Sequence, residues 1–322
     1  MLVVRAGAVP EREVGHDVVM HPATSPPGSG HMGIPWRRVA VAAVALLGLA
    51  TAVTAIQAYG PDRSAASTRT LTVATWNMCG VRQWGCAATG SWAEKRTRLG
   101  GLATRAGARV IFLQETCGAE LESVRRGLGG SWHTAFRAYS ERDAAGRTAP
   151  VRCDTPGAGT AGFAILSAYP LSAVTTVASQ QPTVGVRRGI LCATVAAHEL
   201  RVCTAHLSPR HSDAAHPSWE FRDDQLKALA HAADTRRTVY GGDLNVNPPG
   251  SRNPFSWVWP SGPYTDQREC DQTSASSRAG RDTHVSGHKF DYLFTGLPRV
   301  HCSVRDTGKS DHYALLLRVR TG

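Results

Sequence analysis

Val239 to Pro248 reads VYGGDLNVNP, and this stretch decides both the fold and the place of the chemistry. The run TVYGG is typical of a buried strand, and Asp243 and Asn245 follow it two positions apart. Side chains two positions apart on an extended chain point to the same side. Because ligands of open α/β sheets bind beyond the strand ends, the stretch predicts a polar site at this sheet edge.

Polar side chains follow other apolar runs of the chain in the same way. Asn77 follows LTVATW, Glu115 ends RVIFLQE, and His206 ends LRVCTAH. Asp311 and His312 come directly before the last apolar run. A single polar residue at a strand end is usually a cap, but this many clusters predict one shared site.

Apolar periodicity predicts many strands and few helices, an α/β or α+β sandwich. Polar residues 140–159 and 247–287 are predicted to be loops. The predicted strands are 71–76, 109–115, 132–138, 161–167, 172–179, 184–196, 200–207, 237–242, 289–295, 299–304 and 312–319, and the predicted helices are 91–106, 120–128 and 217–234.

Seven short motifs follow one another in a fixed order: TWNM, LQET, GFAILS, AHLS, GDLN, FDYLF and SDH. In this order they resemble the motifs of the endonuclease/exonuclease/phosphatase superfamily. The superfamily includes deoxyribonuclease I, repair nucleases, neutral sphingomyelinases and inositol polyphosphate 5-phosphatases. The resemblance covers about residues 70–320. It implies a deoxyribonuclease I-like fold, a four-layered α/β/β/α sandwich of two packed mixed β-sheets flanked by helices.

The resemblance also implies a metal site. Glu115 would be the principal ligand, and Asn77 and Asp311 would complete the protein side. Oxygen ligands of this kind suit Mg²⁺ or Mn²⁺, with Ca²⁺ as an alternative. Hydrolysis of a phosphate ester needs such a cation to neutralise the phosphate oxygens.

The catalytic groups are implied by the same motifs. Asp243 and Asn245 match the family pair that orients the attacking water and binds phosphate. His312 would contact the scissile phosphate with Asp291 as its carboxylate partner, and His206 matches the other active-site histidine. Family members differ in which group is the acid, so that assignment stays open.

One motif departs from the family. GFAILSAYP carries Ala168 where the family often has an arginine, and Arg187 and Arg188 could supply the positive charge to bind substrate. His284 and His288 are expected to lie outside the substrate site. Other polar residues are expected in solvated loops or on helix faces, namely His211, Asp213, His216, Asp223, Asp224 and Asp266.

The net charge of +11 favours a polyanionic substrate. We therefore expect a nuclease acting on nucleic acid, without an obligate protein partner and as a monomer. A sphingomyelinase-type phospholipase C acting on phospholipid and a phosphomonoesterase are the alternatives, and a non-catalytic binding module is a third. Lipid action would need an exposed apolar loop, for which Trp257 and Trp259 are the candidates; they could equally pack under their own loop.

The N-terminal part predicts export. Residues 1–31 are expected to be a disordered extension or a mis-assigned start, and residues 59–69 a linker to the domain at 70–320. Residues 32–58 hold an arginine pair and an uncharged apolar run at 39–58, typical of a signal peptide or of a membrane anchor. Either places the domain outside the cytoplasm, secreted or anchored.

All eight cysteines follow Gly60, as expected of disulfides in an exported domain. Cys79 is expected to pair with Cys86 across a short loop, and Cys192 with Cys203 across a turn between two strands. By elimination, the remaining pairs are Cys117–Cys153 and Cys270–Cys302.

Overall fold

The computed structural model describes residues 69–250, 256–260 and 266–322. The predictions for residues 1–31, for the signal or anchor at 32–58 and for nearly all of the linker at 59–69 lie outside the described residues. Within the part of the chain that is described, no helix has the length and apolar character needed to cross a membrane.

Strands dominate the described residues, as the sequence predicted. The strands are β1 (Thr70–Asn77), β2 (Val110–Cys117), β3 (His133–Ala138), β4 (Ser140–Arg142), β5 (Thr148–Pro150), β6 (Ala161–Ser167), β7 (Leu171–Val177), β8 (Gly185–Arg187), β9 (Gly189–Val195), β10 (Leu200–His206), β11 (Thr238–Asp243), β12 (Arg268–Glu269), β13 (Asp291–Thr295), β14 (Arg299–Arg305) and β15 (Ala314–Arg320). The α-helices are α1 (Trp92–Thr104), α2 (Gly118–Leu128) and α3 (Arg222–Ala232).

The strands form two six-stranded mixed sheets and one small sheet. The first large sheet has the order β14-β15-β1-β2-β6-β3, and the second has the order β12-β13-β11-β10-β9-β7. Each contains one parallel pair, β1 with β2 and β10 with β11, and its other neighbours are antiparallel. Strands β5, β4 and β8 make the small sheet.

Three apolar clusters divide the fold into four layers. The largest lies between the two large sheets, where alternate residues of both sheets meet. A second joins α1 and α2 to the outer face of the first sheet, and a third joins α3 to the outer face of the second sheet. Typical members are Val73, Phe112, Val202 and Leu293 of the central cluster, Leu99, Ile111 and Leu121 of the second, and Leu226, Leu229 and Tyr240 of the third. The predicted α/β/β/α sandwich is confirmed.

The structure corrects four predicted elements. The loop predicted at 247–287 contains the two-residue strand β12, which pairs with β13. The loop predicted at 140–159 contains the hairpin β4–β5, whose three-residue strands are too short to show periodicity. The strand predicted at 184–196 is interrupted at Arg188, because β8 pairs with β4 while β9 joins the second large sheet. The helix predicted from residue 217 begins only at Arg222, so Trp219 lies before it, 48% exposed and stacked on His216.

All four predicted disulfide pairings are present. Cys192 and Cys203 are directly opposite in the β9–β10 register, with Cα atoms 4.1 Å apart. The other pairs are Cys79–Cys86, Cys117–Cys153 and Cys270–Cys302. The first of these closes the loop that follows β1, next to the polar cluster described below.

Candidate active site

Two glycines explain how β11 brings its terminal carboxylate to the site. A Cβ atom on Gly241 would lie 1.9 Å from the carbonyl oxygen of Tyr292, and one on Gly242 would lie 2.1 Å from that of Ala205. Both glycines have positive φ angles, 153° and 124°. Strand β11 can therefore fit tightly between β10 and β13 only with glycine at these positions.

The pairing register then places three ionisable side chains in one row. His206 at the end of β10 is opposite Asp243 at the end of β11, and Asp243 is opposite Asp291 at the start of β13. Neighbouring strands lie about 4.8 Å apart, so these three side chains are adjacent. All three are buried.

The Asp243 carboxylate is the centre of the cluster. Its Oδ2 accepts a hydrogen bond of 2.9 Å from Asn77 Nδ2, which belongs to the other large sheet. The same oxygen lies 3.5 Å from His206 Nε2 and 3.7 Å from His312 Nε2. Burial raises the pKa of Asp243, although the nearby charge of His312 acts in the opposite direction.

His312 is held as a cation. Its Nδ1 lies 2.8 Å from Asp291 Oδ2. Burial acts to lower the pKa of His312, but the charges of Asp291 and Asp243 and the hydrogen bond to Asp291 outweigh it and raise the pKa to about 10. Nε2 of His312 thus faces Asp243 as a charged hydrogen-bond donor.

Glu115 and Asn77 bring the first large sheet to the same place. Asn77 Nδ2 lies 3.3 Å from Glu115 Oε1, and Asn77 Oδ1 accepts a hydrogen bond from the backbone N–H of Cys79. Burial raises the pKa of Glu115 to about 7, although Arg188 and His312 act to lower it. Cys86 Sγ lies 3.4 Å from Glu115 Oε2, and because Cys79 and Cys86 form a disulfide they offer no thiolate to a metal.

These groups fit the divalent cation that the family motifs imply. A carboxylate and an amide oxygen are hard ligands of the type that Mg²⁺ and Mn²⁺ prefer. Burial raises the pKa of Glu115 more than the nearby charges of Arg188 and His312 lower it, so a cation bound at its buried carboxylate would offset the cost of ionisation. Asp243, Asp291 and His312 also place one ligand atom each within 4.8 Å of one another.

His206 is connected to Glu115 through a tyrosine that the sequence did not reveal. The hydroxyl of Tyr139 lies 2.6 Å from His206 Nδ1 and accepts a hydrogen bond of 3.0 Å from the backbone N–H of Glu115. The hydroxyl hydrogen then has His206 Nδ1 as its acceptor, so the imidazole proton is placed on Nε2. Burial and the charges of Arg188 and His312 lower the pKa of His206 well below its ordinary value. His206 is a neutral donor directed at Asp243.

Asn245 reaches the site by a turn, which corrects the extended geometry expected from the sequence. Strand β11 ends at Asp243, and Asn245 has a φ of 52°. Asp243 Oδ1 accepts a hydrogen bond of 2.9 Å from the backbone N–H of Asn245. The Asn245 side chain donates to the carbonyl of Leu207, one residue beyond His206. The D-x-N spacing therefore builds a turn that fixes the Asp243 carboxylate.

Asp311 lies at the exposed side of the cluster and has a histidine partner. Its Oδ2 is 3.5 Å from His284 Nε2, and the ring of His284 meets the ring of His312 edge-on at 4.7 Å. Burial acts to raise the pKa of Asp311, but His284 and His312 together lower it. His284, expected to lie away from the site, is part of it because a backbone bridge pairs it with His312.

The two predicted substrate arginines line the same pocket beside the cluster but have different neighbours. The guanidinium of Arg188 lies 5.1 Å from the ring centre of Trp84, which packs against Tyr139. Arg188 is close enough to lower the pKa of both buried site groups described above, Glu115 and His206. Arg187 belongs to β8 and lines a pocket beside the cluster.

Lys95 and Gln114 support the site through buried hydrogen bonds, and neither was predicted as a site residue, although Gln114 belongs to the LQET motif. Lys95 is buried on α1, and its Nζ donates to the carbonyls of Met78, Thr89 and Lys309. Burial lowers the pKa of Lys95 to about 8. Gln114 joins the two sheets, since its side chain hydrogen-bonds to Thr75 in β1 and to Thr204 in β10.

Other polar and aromatic candidates are structural. Asp213, expected in a solvated loop, is fully buried, and its Oδ2 accepts hydrogen bonds of 2.6 and 2.7 Å from the backbone and hydroxyl of Thr183. Trp259 is 3% exposed, packs edge-on against Phe294 and donates to Gln272. It therefore packs under its own loop, the second of the two roles considered for it.

Comparisons with known proteins agree with this arrangement. A family model described as the Endonuclease/Exonuclease/phosphatase family matches residues 74–312. No curated protein matches the chain significantly.

Solved structures share the fold at low sequence identity. An endonuclease/exonuclease/phosphatase from Beutenbergia cavernae DSM 12333 is 20% identical with a TM-score of 0.52, over 79% of this chain and 72% of that one. The human Nocturnin catalytic domain is 14% identical with a TM-score of 0.53, over 77% of this chain and 92% of that one. A 3'-5' exonuclease from Neisseria meningitidis is 14% identical with a TM-score of 0.52, over 78% of this chain and 100% of that one.

Proposed function

Because the chain belongs to the endonuclease/exonuclease/phosphatase family, whose members are metal-dependent phosphoric ester hydrolases, we propose that it is a secreted nuclease that hydrolyses phosphodiester bonds of nucleic acid. One observation carries the proposal. The Asp243 carboxylate accepts a hydrogen bond from Asn77 of the other large sheet. It also faces two histidines with different charges, neutral His206 and cationic His312.

Each protein group has a distinct task in this proposal. Asp243, fixed by the backbone of Asn245 and with a raised pKa, orients the attacking water and accepts its proton. The His312 cation, held by Asp291, binds a non-bridging phosphate oxygen and stabilises its growing negative charge. His206 donates a hydrogen bond from its Nε2–H group to the phosphate and stays neutral, because Tyr139 occupies its other nitrogen.

A divalent cation would be held by Glu115 and Asn77, with Asp311 at the exposed side. When bound, it would neutralise phosphate charge and stabilise the leaving oxygen. The protein side chains hold these groups in fixed positions relative to one another. Asn77 bridges Glu115 and Asp243 by hydrogen bonds of 3.3 and 2.9 Å, so the metal side and the water side of the site are rigidly joined.

Nucleic acid is favoured over lipid by charge and by the tryptophans. The net charge of +11 suits a polyanion. Burial of Trp259 removes one of the two aromatic residues that could have entered a lipid surface. The fold is also shared with the Neisseria meningitidis 3'-5' exonuclease, which supports the choice of a nucleic acid substrate.

Secretion is supported by cysteine use and by the N-terminal pattern. The eight cysteines form four pairs, and such pairing persists in oxidising compartments. The uncharged apolar run at 39–58 follows an arginine pair, as in export signals and anchors.

The proposal is tested with the oxidised protein and three substrates: plasmid DNA, RNA and sphingomyelin vesicles. Each is incubated with Mg²⁺, with Mn²⁺ and with EDTA. We expect metal-dependent cleavage of nucleic acid only, which weakens as salt rises because phosphate contacts release counterions. Phosphocholine release from the vesicles without nucleic acid cleavage would assign the chain to lipid hydrolysis instead.

A further inference from the structure

A basic pocket lies beside the candidate active site, bordered by β3, β7 and β8. Its volume is about 270 Å³. Three arginines line it, Arg137, Arg187 and Arg188, together with the polar side chains of Ser140 and Gln181. No carboxylate is among its lining residues in the described part of the chain. Three positive charges thus share one concave surface that no acidic residue lines.

Two of the arginines carry hydrogen-bond donors that the protein does not use. The Nε–H groups of Arg187 and Arg188 are buried, and neither has a hydrogen-bond partner among the described residues. The third arginine, Arg137, donates from Nη1 to the hydroxyl of Thr176 at 3.3 Å. Buried donors are normally paired, so two arginines that line a pocket and keep unpaired donors are suited to a ligand with several acceptor oxygens. A phosphate group matches the planar guanidinium donors and neutralises their charge.

Residues that line the pocket are backbone neighbours of the catalytic cluster. Gly189 lines the pocket and is directly opposite His206 in the β9–β10 register. Ser140 lines it from the other side and follows Tyr139, whose hydroxyl contacts His206. Arg187 is two residues before Gly189, which corresponds to about 7 Å of extended chain. A substrate phosphate in the pocket would therefore lie next to one bound at His206.

We propose that the basic pocket binds the phosphate that neighbours the scissile phosphate in a polynucleotide. This inference rests on the proposed function and adds a selection rule to it. Substrates with consecutive phosphodiesters are preferred over esters that carry a single phosphate, because only the former occupy both positions. Arg137 and Arg187 set this preference without contacting the reacting atoms.

The preference is measured by comparing thymidylyl-thymidine, which has one phosphate, with the same dinucleotide carrying a phosphate at both ends. Cleavage of the internal bond is followed by chromatography. We expect kcat/KM to be about tenfold or more higher for the terminally phosphorylated form. Arg137→Ala and Arg187→Ala should each reduce this ratio, and the double variant, in which Arg188 remains, should reduce it further. Arg98→Ala removes an exposed arginine from α1 on the outer face and is the matched control, with an unchanged ratio. Equal kcat/KM for the two substrates, or a ratio that survives the double variant, would overturn the proposal.

A binding measurement separates this inference from the proposed function. The thermal midpoint is recorded with and without inorganic pyrophosphate in EDTA, where no metal-dependent hydrolysis occurs. Pyrophosphate should raise the midpoint of the parent and of Arg98→Ala, and raise that of the double variant less. If this holds while no nucleic acid is cleaved, the proposed function fails and the pocket remains an anion site. If nucleic acid is cleaved but the double variant is stabilised as fully as the parent, the pocket proposal fails alone.

Discussion

The hydroxyl of Tyr139 lies 2.6 Å from Nδ1 of His206 and also accepts the backbone N–H of Glu115. This chain of hydrogen bonds passes from Glu115, the proposed metal ligand, to His206, one of the two proposed catalytic histidines. It fixes the imidazole proton of His206 on Nε2 through a tyrosine hydroxyl, where His312 has a carboxylate partner. The two histidines are thus set to different charge states by different partners, a tyrosine for His206 and Asp291 for His312.

Replacing Tyr139 by phenylalanine tests this control of the tautomer. Without the hydroxyl, Nδ1 of His206 loses its donor, and both neutral tautomers become accessible. We expect kcat to fall about tenfold to a hundredfold and the free energy of unfolding to fall by about 1–3 kcal/mol. Nitrogen NMR of the histidines should show His206 protonated on Nε2 in the parent and as a mixture in the variant. Tyr169→Phe, which alters a tyrosine packed on His198, is the control. Protonation of His206 on Nδ1 in the parent would show that the assignment is wrong.

The Asp291→Asn variant tests the charge of His312. The amide removes the negative charge that holds the pKa of His312 at about 10, so the pKa should fall. Activity that requires protonated His312 is retained below the pKa of His312 and lost above it. The alkaline limb of the kcat profile should therefore move to lower pH in the variant, and kcat near neutral pH should drop about a hundredfold or more. An alkaline limb that stays in place would mean that another group produces it.

Glu115 makes metal binding dependent on pH. In the metal-free protein its pKa is raised from 4.5 to about 7. Ionisation of Glu115 therefore lowers the free energy of unfolding. This loss is absent below pH 4.5, grows as the pH rises and is complete above pH 7. The cost amounts to about 3 kcal/mol at most, and a bound cation relieves it. Mg²⁺ or Mn²⁺ should therefore raise the thermal midpoint more at about pH 8 than at about pH 5. Glu115→Gln should remove most of this difference. A metal effect of equal size at both pH values would contradict the role of Glu115.

The Cys79–Cys86 disulfide should affect metal binding more than Cys192–Cys203, the other disulfide that closes a short loop. Cys86 Sγ lies 3.4 Å from Glu115 Oε2, and the backbone N–H of Cys79 holds the Asn77 amide. Replacing both cysteines by alanine frees this loop and should weaken Mg²⁺ binding about tenfold or more. The matched control replaces Cys192 and Cys203, whose bridge crosses β9 and β10 on the α3 side. Both double variants lose a short loop closure, so equal losses of metal affinity would argue for a general effect on stability.

The sequence predicted the fold because its signals are local. Buried apolar strands show as periodicity, and the ordered motifs at their ends pointed to one family, which implied the sandwich. The cysteines also paired as predicted, and Cys192 and Cys203 could be matched because a single turn separates their strands.

Features that depend on pairing between distant segments could not be read in advance. Arg137 belongs to the edge strand β3 and Tyr139 directly follows it, in a segment with no motif. Only the meeting of the two sheets brings these residues to the basic pocket and to His206. His284 enters the site through a backbone bridge to a residue 28 positions away. The geometry of Asn245 was missed for a different reason. Its left-handed φ of 52° depends on the Asp243 side chain capping the turn, which residue spacing alone does not show.

We propose above that Asp243 and His312 act on a phosphodiester together with a divalent cation. The most direct measurement is the rate of plasmid cleavage in Mg²⁺ by the parent, by Asp243→Asn and by His312→Ala, each shown to be folded by circular dichroism. We expect the parent to cleave the plasmid only in the absence of EDTA, and both variants to lose about a thousandfold or more of the rate. Full turnover in either folded variant, or cleavage that persists in EDTA, would contradict this proposal.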